Sequence, residues 1–149
     1  MIKLVKEIDD LRPDHIGWHL WEAAAQWKMR FSAGMIAAGH DWYGEARSGV
    51  IPYVDLNGTR QADIVQRMGL SKQAVQQLIV DLEQVGILHR VPDPADGRGK
   101  IVCFTEVGLA AQRDAAQVKR EVENEMRRKL GAEAFDTLYA LLKELAQPD

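Results

Sequence analysis

Residues 63–108 decide the fold of this chain and read DIVQRMGLSKQAVQQLIVDLEQVGILHRVPDPADGRGKIVCFTEVG. The first half of this stretch has apolar residues at helical spacing, interrupted at Gly69 and resumed after Ser71, a residue type that favours the N-cap of a helix. The second half contains two β-rich runs, 87–91 and 100–104, joined by a segment dense in Pro, Gly and Asp. The pattern predicts two short helices followed by a hairpin with a long polar tip, which is a winged helix-turn-helix.

Four positions are expected to pack the two short helices against each other. A helix-turn-helix needs small or apolar residues on both helices and a glycine in the turn, because the helices cross at a fixed angle. Val65, Gly69, Val75 and Leu78 stand at the required offsets, and Val65 is larger than the alanine more usual there. Thr59, which follows an Asn-Gly turn, is predicted to be the N-cap of the first helix.

If Val75 and Leu78 face inward, the opposite face of the second helix is polar. Glutamine can form paired hydrogen bonds with the adenine edge in the major groove, and a capping serine with free backbone N–H groups can hold a phosphate. A merely solvated face is the alternative for an arbitrary helix. The position directly after the helix-turn-helix break favours a surface that reads DNA.

The hairpin tip supplies a second candidate for DNA contact. Arg98 stands between Gly97 and Gly99, and a guanidinium on such a tip can enter the minor groove. Asp96 is expected to pair with Arg98 and hold it extended, whereas the alternative is an ordinary solvated turn. The complete set of predicted DNA contacts is Arg60, Ser71, Lys72, Gln73, Gln76, Gln77, Arg90, Asp96, Arg98 and Lys100.

Outside the central stretch the sequence predicts helices. Asp14 is expected to start a long helix that runs to about Ala38 and ends at Gly39. A shorter helix is expected over residues 42–51, where Pro52 stops it.

Two helices close the chain, over residues 106–130 and 132–145, and Gly131 separates them. The long helices at the two ends of the chain carry narrow apolar stripes that so small a central module cannot bury, so we expect a dimer. The predicted fold class is mainly α with a small β-hairpin wing (α+β). The predicted organisation is one domain, 1–149, with dimerisation helices in 1–38 and 106–149 and a DNA-binding lobe in 42–105.

Composition and charge limit the function classes. The chain has 149 residues, is 46% hydrophobic and has a formal net charge of −3, which excludes a basic protein that coats nucleic acid. Residues 58–100 carry six Lys or Arg against five Asp or Glu, whereas each flank has an acidic excess of two. The middle of the chain is therefore the only plausible site for a polyanion.

Cellular location is predicted from cysteine content and hydropathy. A single cysteine, Cys103, excludes an intramolecular disulfide framework and fits a reducing compartment. The sequence contains no apolar run of about 18 residues, so no membrane span is predicted. Its N-terminal residues alternate between apolar and charged types, unlike those of a secretory signal. We expect a cytoplasmic protein with no membrane partner.

The central stretch resembles the DNA-binding core of MarR-type (multiple-antibiotic-resistance regulator) transcription regulators. The segment LEQVGILHR at 82–90 is similar to the join between recognition helix and wing in that family. DPADGR at 93–98 followed by FTEVG at 104–108 resembles the wing signature. Residues 42–57 fit the family weakly, and Pro52 is expected to change how the second helix meets the core.

The resemblance implies a homodimer, built from the terminal helices, that binds a palindromic double-stranded operator through two recognition helices and two wings. A repressor is the favoured form, because a compact dimer on an operator excludes polymerase without further contacts. The family also implies a small aromatic effector between the dimer helices and the lobes. Trp18, His19 and Trp42 are the candidates for binding it, and core or dimer interface is the alternative for the tryptophans.

Other chemistries receive less support. His15, His19 and Glu22 share one helix face, but such a trio arises easily by chance, so no metal and no cofactor are predicted. Cys103 lies between Val102 and Phe104, which indicates structural burial instead of a reactive thiolate. No catalytic or nucleotide-binding motif occurs, so an enzyme is not expected. The remaining alternative is a winged-helix dimer that serves as a protein–protein interaction module without operator binding.

Overall fold

The computed structural model of the chain describes residues 14–148, and its mainly helical architecture with one small sheet confirms the predicted fold class. Predictions for residues 1–13 lie outside the described residues. The helices are α1 Ile16–Ala37, α2 Gln61–Met68, α3 Lys72–Gln84, α4 Glu106–Leu130 and α5 Ala132–Leu145, with 3-10 helices at Asp41–Gly44 and Ala46–Tyr53. The strands are β1 Thr59–Arg60, β2 Leu88–Asp93 and β3 Asp96–Phe104.

Three helix boundaries follow the predicted residues, at Gly69, Ser71 and Gly131. α2 ends at Gly69, whose φ of 65° places it in the left-handed region that glycine adopts without strain. The Ser71 hydroxyl accepts a hydrogen bond from the Ala74 N–H at 3.1 Å and so begins α3. The break between α4 and α5 lies at Gly131, as predicted.

Three predictions on the N-terminal side are wrong. His15, not Asp14, is the N-cap of α1, since its ring Nδ1 accepts a hydrogen bond from the Trp18 N–H at 3.2 Å. The helix expected over residues 42–51 is replaced by the two 3-10 helices, and Pro52 lies inside the second of them instead of ending it. Glycine lowers α-helix propensity by about 1 kcal/mol, and this segment contains two, which favours short 3-10 turns.

The sheet is antiparallel, with the order β1-β3-β2. Thr59 pairs with Val102 in this sheet, so its predicted role as a helix cap is wrong. The Thr59 hydroxyl instead accepts a hydrogen bond from the Asp55 N–H at 2.8 Å. The first strand thereby fixes the start of α2 against the wing.

The wing hairpin is tighter than predicted. Its strands extend to Asp93 and Asp96 and are joined by a short turn, not by a long polar tip over residues 92–99. Pro92 pairs with Lys100 and the next pair is Asp93 with Asp96, so residues 97–99 form a bulge on β3 without partners on β2. Arg98 therefore projects from a strand bulge.

Two apolar clusters hold the fold. The first lies under the helix-turn-helix and the sheet, where Val75 and Ile79 are fully buried and Val65 and Leu78 pack at the edge. The second joins α1 to α4. A Cβ on Gly34 would lie 2.4 Å from Val118 Cγ1, so this glycine allows the two helices to approach closely.

Candidate nucleic-acid interface

The outer face of α3 presents the predicted polar residues. Val75, Ile79 and Leu82 are buried, which turns Ser71, Lys72, Gln73, Gln76 and Gln77 toward solvent. The Ser71 hydroxyl is engaged at the helix cap, and Gln77 Nε2 donates to Asp81 Oδ1 at 2.8 Å. No hydrogen bond within residues 14–148 engages the amides of Gln73 and Gln76, which leaves both able to bind a ligand.

A cleft of about 530 Å³ separates α3 from the wing. Its position brings together six of the ten predicted DNA contacts, whereas Arg60, Ser71, Gln73 and Gln77 do not line it. The lining residues are Gln61, Ala62, Val65, Lys72, Gln76, Arg90, Asp96, Arg98, Gly99 and Lys100.

Three exposed cations of this cleft are free. Among the ion pairs of residues 14–148, none involves Lys72, Arg98 or Lys100. Asp96 does not pair with the Arg98 guanidinium as predicted; its Oδ1 accepts a hydrogen bond from the Arg98 backbone N–H at 3.0 Å. The side chain of Arg98 is thus exposed and available to an anion.

The two other predicted arginine contacts are engaged within the chain. Arg90 Nε and Nη2 donate to the two oxygens of Glu83 at 2.9 Å each. Arg60 Nε lies 2.8 Å from Asp93 Oδ2, and the Asp93 side chain is 3% exposed. Glu83 and Asp93 are residues that the sequence did not identify as part of this surface.

The candidate effector residues do not converge. Trp42 is buried in the cluster beneath the helix-turn-helix, whereas Trp18 is 53% exposed on α1. His19 is exposed and its ring contacts the carboxylates of Asp14 and Glu22.

Trp18 instead lines a groove of about 700 Å³ between α1, α4 and α5. Two further tryptophans, Trp21 and Trp27, contribute to its apolar wall, and Arg30 and Lys129 add two cations. Other apolar side chains of α1 and α5 are also exposed, among them Ile16 at 74% and Leu145 at 70%. Such a large apolar area is typical of an interaction surface.

No metal site forms around the histidines. Among residues 14–148, no three His, Cys, Asp or Glu side chains are placed to share a metal ion. The His15 ring is engaged as the cap of α1. Cys103 is half-buried on β3, where it packs against the turn at Gly58.

Tyr43 lies where the two apolar clusters meet. Its ring packs edge-on against Phe31 and at a tilt of 50° against Trp42, and the ring centroids are 5.1 Å apart in both pairs. Burial raises the pKa of the Tyr43 hydroxyl to about 12, because a phenolate loses its hydration there. The residue therefore joins the α1–α4 pair to the module that bears the cleft.

Comparison with known proteins points to one family. The MarR family model matches residues 48–99, which include the helix-turn-helix and most of the wing. A search of curated proteins gives no match. Within residues 14–148, none of the helices combines the length and apolar character needed to cross a membrane.

Solved structures of this family share the fold. Wild-type MarR from E. coli, in its apo form, is 17% identical with a TM-score of 0.71, covering 91% of this chain and 100% of that one. A mutant E. coli MarR in complex with operator DNA is 18% identical with a TM-score of 0.69, covering 93% and 97%. NadR in complex with 4-hydroxyphenylacetate is 18% identical with a TM-score of 0.66, covering 93% and 96%.

Proposed function

We propose that this chain, which has the fold of the MarR-type winged-helix regulators and matches their family model at residues 48–99, is a sequence-specific DNA-binding transcription regulator. The observation that carries the proposal is the cleft between α3 and the wing. It combines the free cations Lys72, Arg98 and Lys100 with the free amide of Gln76. A mutant E. coli MarR of the same fold has been solved in complex with operator DNA, which supports DNA binding by this chain.

In this proposal α3 is the recognition helix. Gln73 and Gln76 read base edges in the major groove, since a glutamine amide matches the donor and acceptor of adenine. Lys72 at the start of α3 and Lys100 on β3 bind phosphates, which fix the register of the protein on the duplex. Arg98, raised on the bulge of β3, enters the adjacent minor groove.

The acting species is a homodimer. Residues 14–38 and 106–148 supply the dimerisation helices, and residues 42–105 form the DNA-binding lobe. The exposed apolar surface around the tryptophan-lined groove needs a cover, and a second copy provides it symmetrically. Two recognition helices about 34 Å apart then read a palindromic operator.

Repression, release by a small molecule and cytoplasmic action complete the proposal. A dimer on an operator excludes polymerase without any further contact. An aromatic effector is supported by NadR, which has been solved with 4-hydroxyphenylacetate. Trp18 and the cation Lys129 in the same groove suit an aromatic anion, whereas Arg30 is paired with Glu125 and Trp42 belongs to the core. The role requires no catalysis, metal or cofactor.

The test is fluorescence anisotropy with a labelled duplex from the region upstream of the gene, against a scrambled duplex, at two salt concentrations. Tight sequence-dependent binding that weakens steeply with salt supports an operator-binding dimer. Equal and weak binding to both leads to a selection from random duplexes. Failure of that selection would overturn DNA binding and favour the interaction module, whose partner would stay bound after substitution of Lys72, Gln76 and Arg98.

A further inference from the structure

Arg90 connects three elements around the DNA-facing cleft. It lies on β2, its Nε and Nη2 donate to both oxygens of Glu83 on α3, and its Nη1 donates to Gln61 Oε1 at 3.4 Å at the start of α2. The side chains of Arg90 and Glu83 are 22% and 26% exposed. A bidentate guanidinium–carboxylate pair restricts direction as well as distance, so this contact fixes the orientation of the strand relative to the helix.

The orientation matters for DNA reading because the two parts enter different grooves. α3 presents Gln76 on one wall of the cleft, and β3 presents Arg98 on the other. β3 is paired to β2 along the hairpin, with Arg90 opposite Val102. Any rotation of β2 against α3 therefore changes the distance between the reading helix and the wing.

We propose that Arg90 is a positioning residue that sets the wing at a fixed distance from α3 and does not itself contact DNA. The inference rests on the proposed function. For Arg90 to turn toward a phosphate, the Glu83 carboxylate would lose both of its hydrogen bonds to Arg90 and stay largely buried beside a polyanion. Electrostatics thus opposes the exchange, and the free cations remain for the duplex, Lys72 and Lys100 for the phosphates and Arg98 for the minor groove.

Glu83→Gln distinguishes positioning from direct contact by the sign of its effect. If Arg90 touched DNA, removal of a nearby negative charge would leave the affinity unchanged or raise it. If Arg90 positions the wing, the neutral amide weakens the bidentate pair, and affinity for the duplex recovered by selection falls by roughly tenfold, the effect of one charged hydrogen bond. Arg90→Ala should lower it by at least as much.

The variant series separates positioning from contact in a second way. Arg90→Ala should keep the wild-type salt slope, whereas Arg98→Ala should lower it by about two units per dimer, since each cation withdrawn from the negative charge of the duplex contributes about 0.9. Arg90→Lys should recover part of the affinity, because it restores one charge but not the fork. Arg120→Ala removes the same charge from α4, outside the cleft, and should change neither affinity nor slope.

A measurement without DNA keeps the inference distinct from the proposed function. Amide hydrogen exchange in the free protein should accelerate in Leu88–Asp93 for both Arg90→Ala and Glu83→Gln, with no change in α4. If the wild type binds no duplex, the proposed function fails, and exchange alone then decides whether Arg90 holds the wing. A lowered salt slope in Arg90→Ala, a gain of affinity in Glu83→Gln, or unchanged exchange in both variants would overturn the positioning role.

Discussion

Asp93 and Arg60 form an ion pair of 2.8 Å in which the carboxylate is 3% exposed and the arginine 55% exposed. The other oxygen of Asp93 accepts a hydrogen bond from the Ala95 N–H at 2.9 Å, inside the turn of the wing. The pair thus joins β1, next to the start of α2, to the far end of the hairpin. Because the buried partner is the acid, Arg60 has to stay with it to compensate its charge.

The first prediction follows from this pair. Asp93→Ala removes the ion pair with Arg60 and the hydrogen bond from the Ala95 N–H, and it should lower the free energy of unfolding by roughly 1–3 kcal/mol, measured by urea denaturation. Asp93→Asn retains the acceptor for Ala95 and should lose less. Glu123→Ala, an exposed acid on α4, is the control and should stay within about 0.5 kcal/mol of the wild type. An equal effect for both alanine variants would contradict the role of the pair.

Gln76 should determine base preference without determining general affinity. We expect Gln76→Ala to relax the preference at one or two base pairs of each half-site, with a loss of about 1–3 kcal/mol on the preferred sequence. Binding to scrambled duplex should hardly change, since the phosphate contacts remain. Selection from random duplexes before and after the substitution measures this. Gln117→Ala on α4, outside the cleft, should leave the selected sequence as it was.

Gly108 should tolerate no side chain. A Cβ at this position would lie 2.2 Å from the carbonyl oxygen of Ile87. Ile87 directly precedes β2, at the base of the wing, where the chain packs on the first turn of α4. Gly108→Ala should therefore destabilise the fold by about 1–3 kcal/mol, the usual cost of overpacking. Gly49→Ala is the matched control, because nothing lies within 4 Å of its Cβ and its φ is not positive. Thermal unfolding of the two variants should give a lower Tm only for the first.

The tryptophan-lined groove should be covered in the dimer. Trp21 is 72% exposed at its wall, so Trp21→Lys should place a charge in the interface and shift the protein toward monomer. Sedimentation at several protein concentrations measures the change. Met29→Lys alters a residue of α1 that is 64% exposed but does not line the groove, and should leave the dimer intact. A Trp21→Lys variant that stays dimeric would show that the dimer interface lies outside this groove.

Tyr43 should limit stability at alkaline pH. Burial raises its pKa from the ordinary value of 10 to about 12 in the folded protein, so the folded state binds the proton more tightly. The stabilisation is complete below pH about 10 and is lost as pH rises toward about 12. Tyr43→Phe should flatten this loss in a series of unfolding curves. Tyr139→Phe, whose ring is 53% exposed, should retain the wild-type profile.

The helix ends at Gly69, Ser71 and Gly131 were predictable because single residues set them. Gly69 and Gly131 adopt backbone angles that other residues rarely adopt, and Ser71 caps with its own side chain. β1 was not predictable, since two residues carry no periodicity and the strand exists only because β3 lies beside it. The 3-10 helices were not predicted for a related reason, because apolar spacing does not distinguish them from an α-helix over so short a segment.

In the candidate site, too, some features follow from the sequence and others depend on tertiary contacts. The exposure of Lys72 and Gln76 follows from helical periodicity alone, and the structure places both on the cleft. The partners of Arg60 and Arg90 depend on how strands lie against helices, which a single sequence does not specify. Residue type thus predicted a set of side chains of which six line one cleft, but only tertiary contacts show that Arg60 and Arg90 are paired with acids.

The bulge at residues 97–99 makes the length of the wing tip independent of the register of the sheet, whereas a regular hairpin would link the two. Below Pro92 and Lys100 the ladder alternates inward and outward side chains, and any change of strand length there would turn apolar residues to solvent. The bulge is outside that alternation. Residues can be gained, lost or exchanged around Arg98 while the sheet keeps its register. The reach of the wing can therefore change without a change in the sheet or in α3.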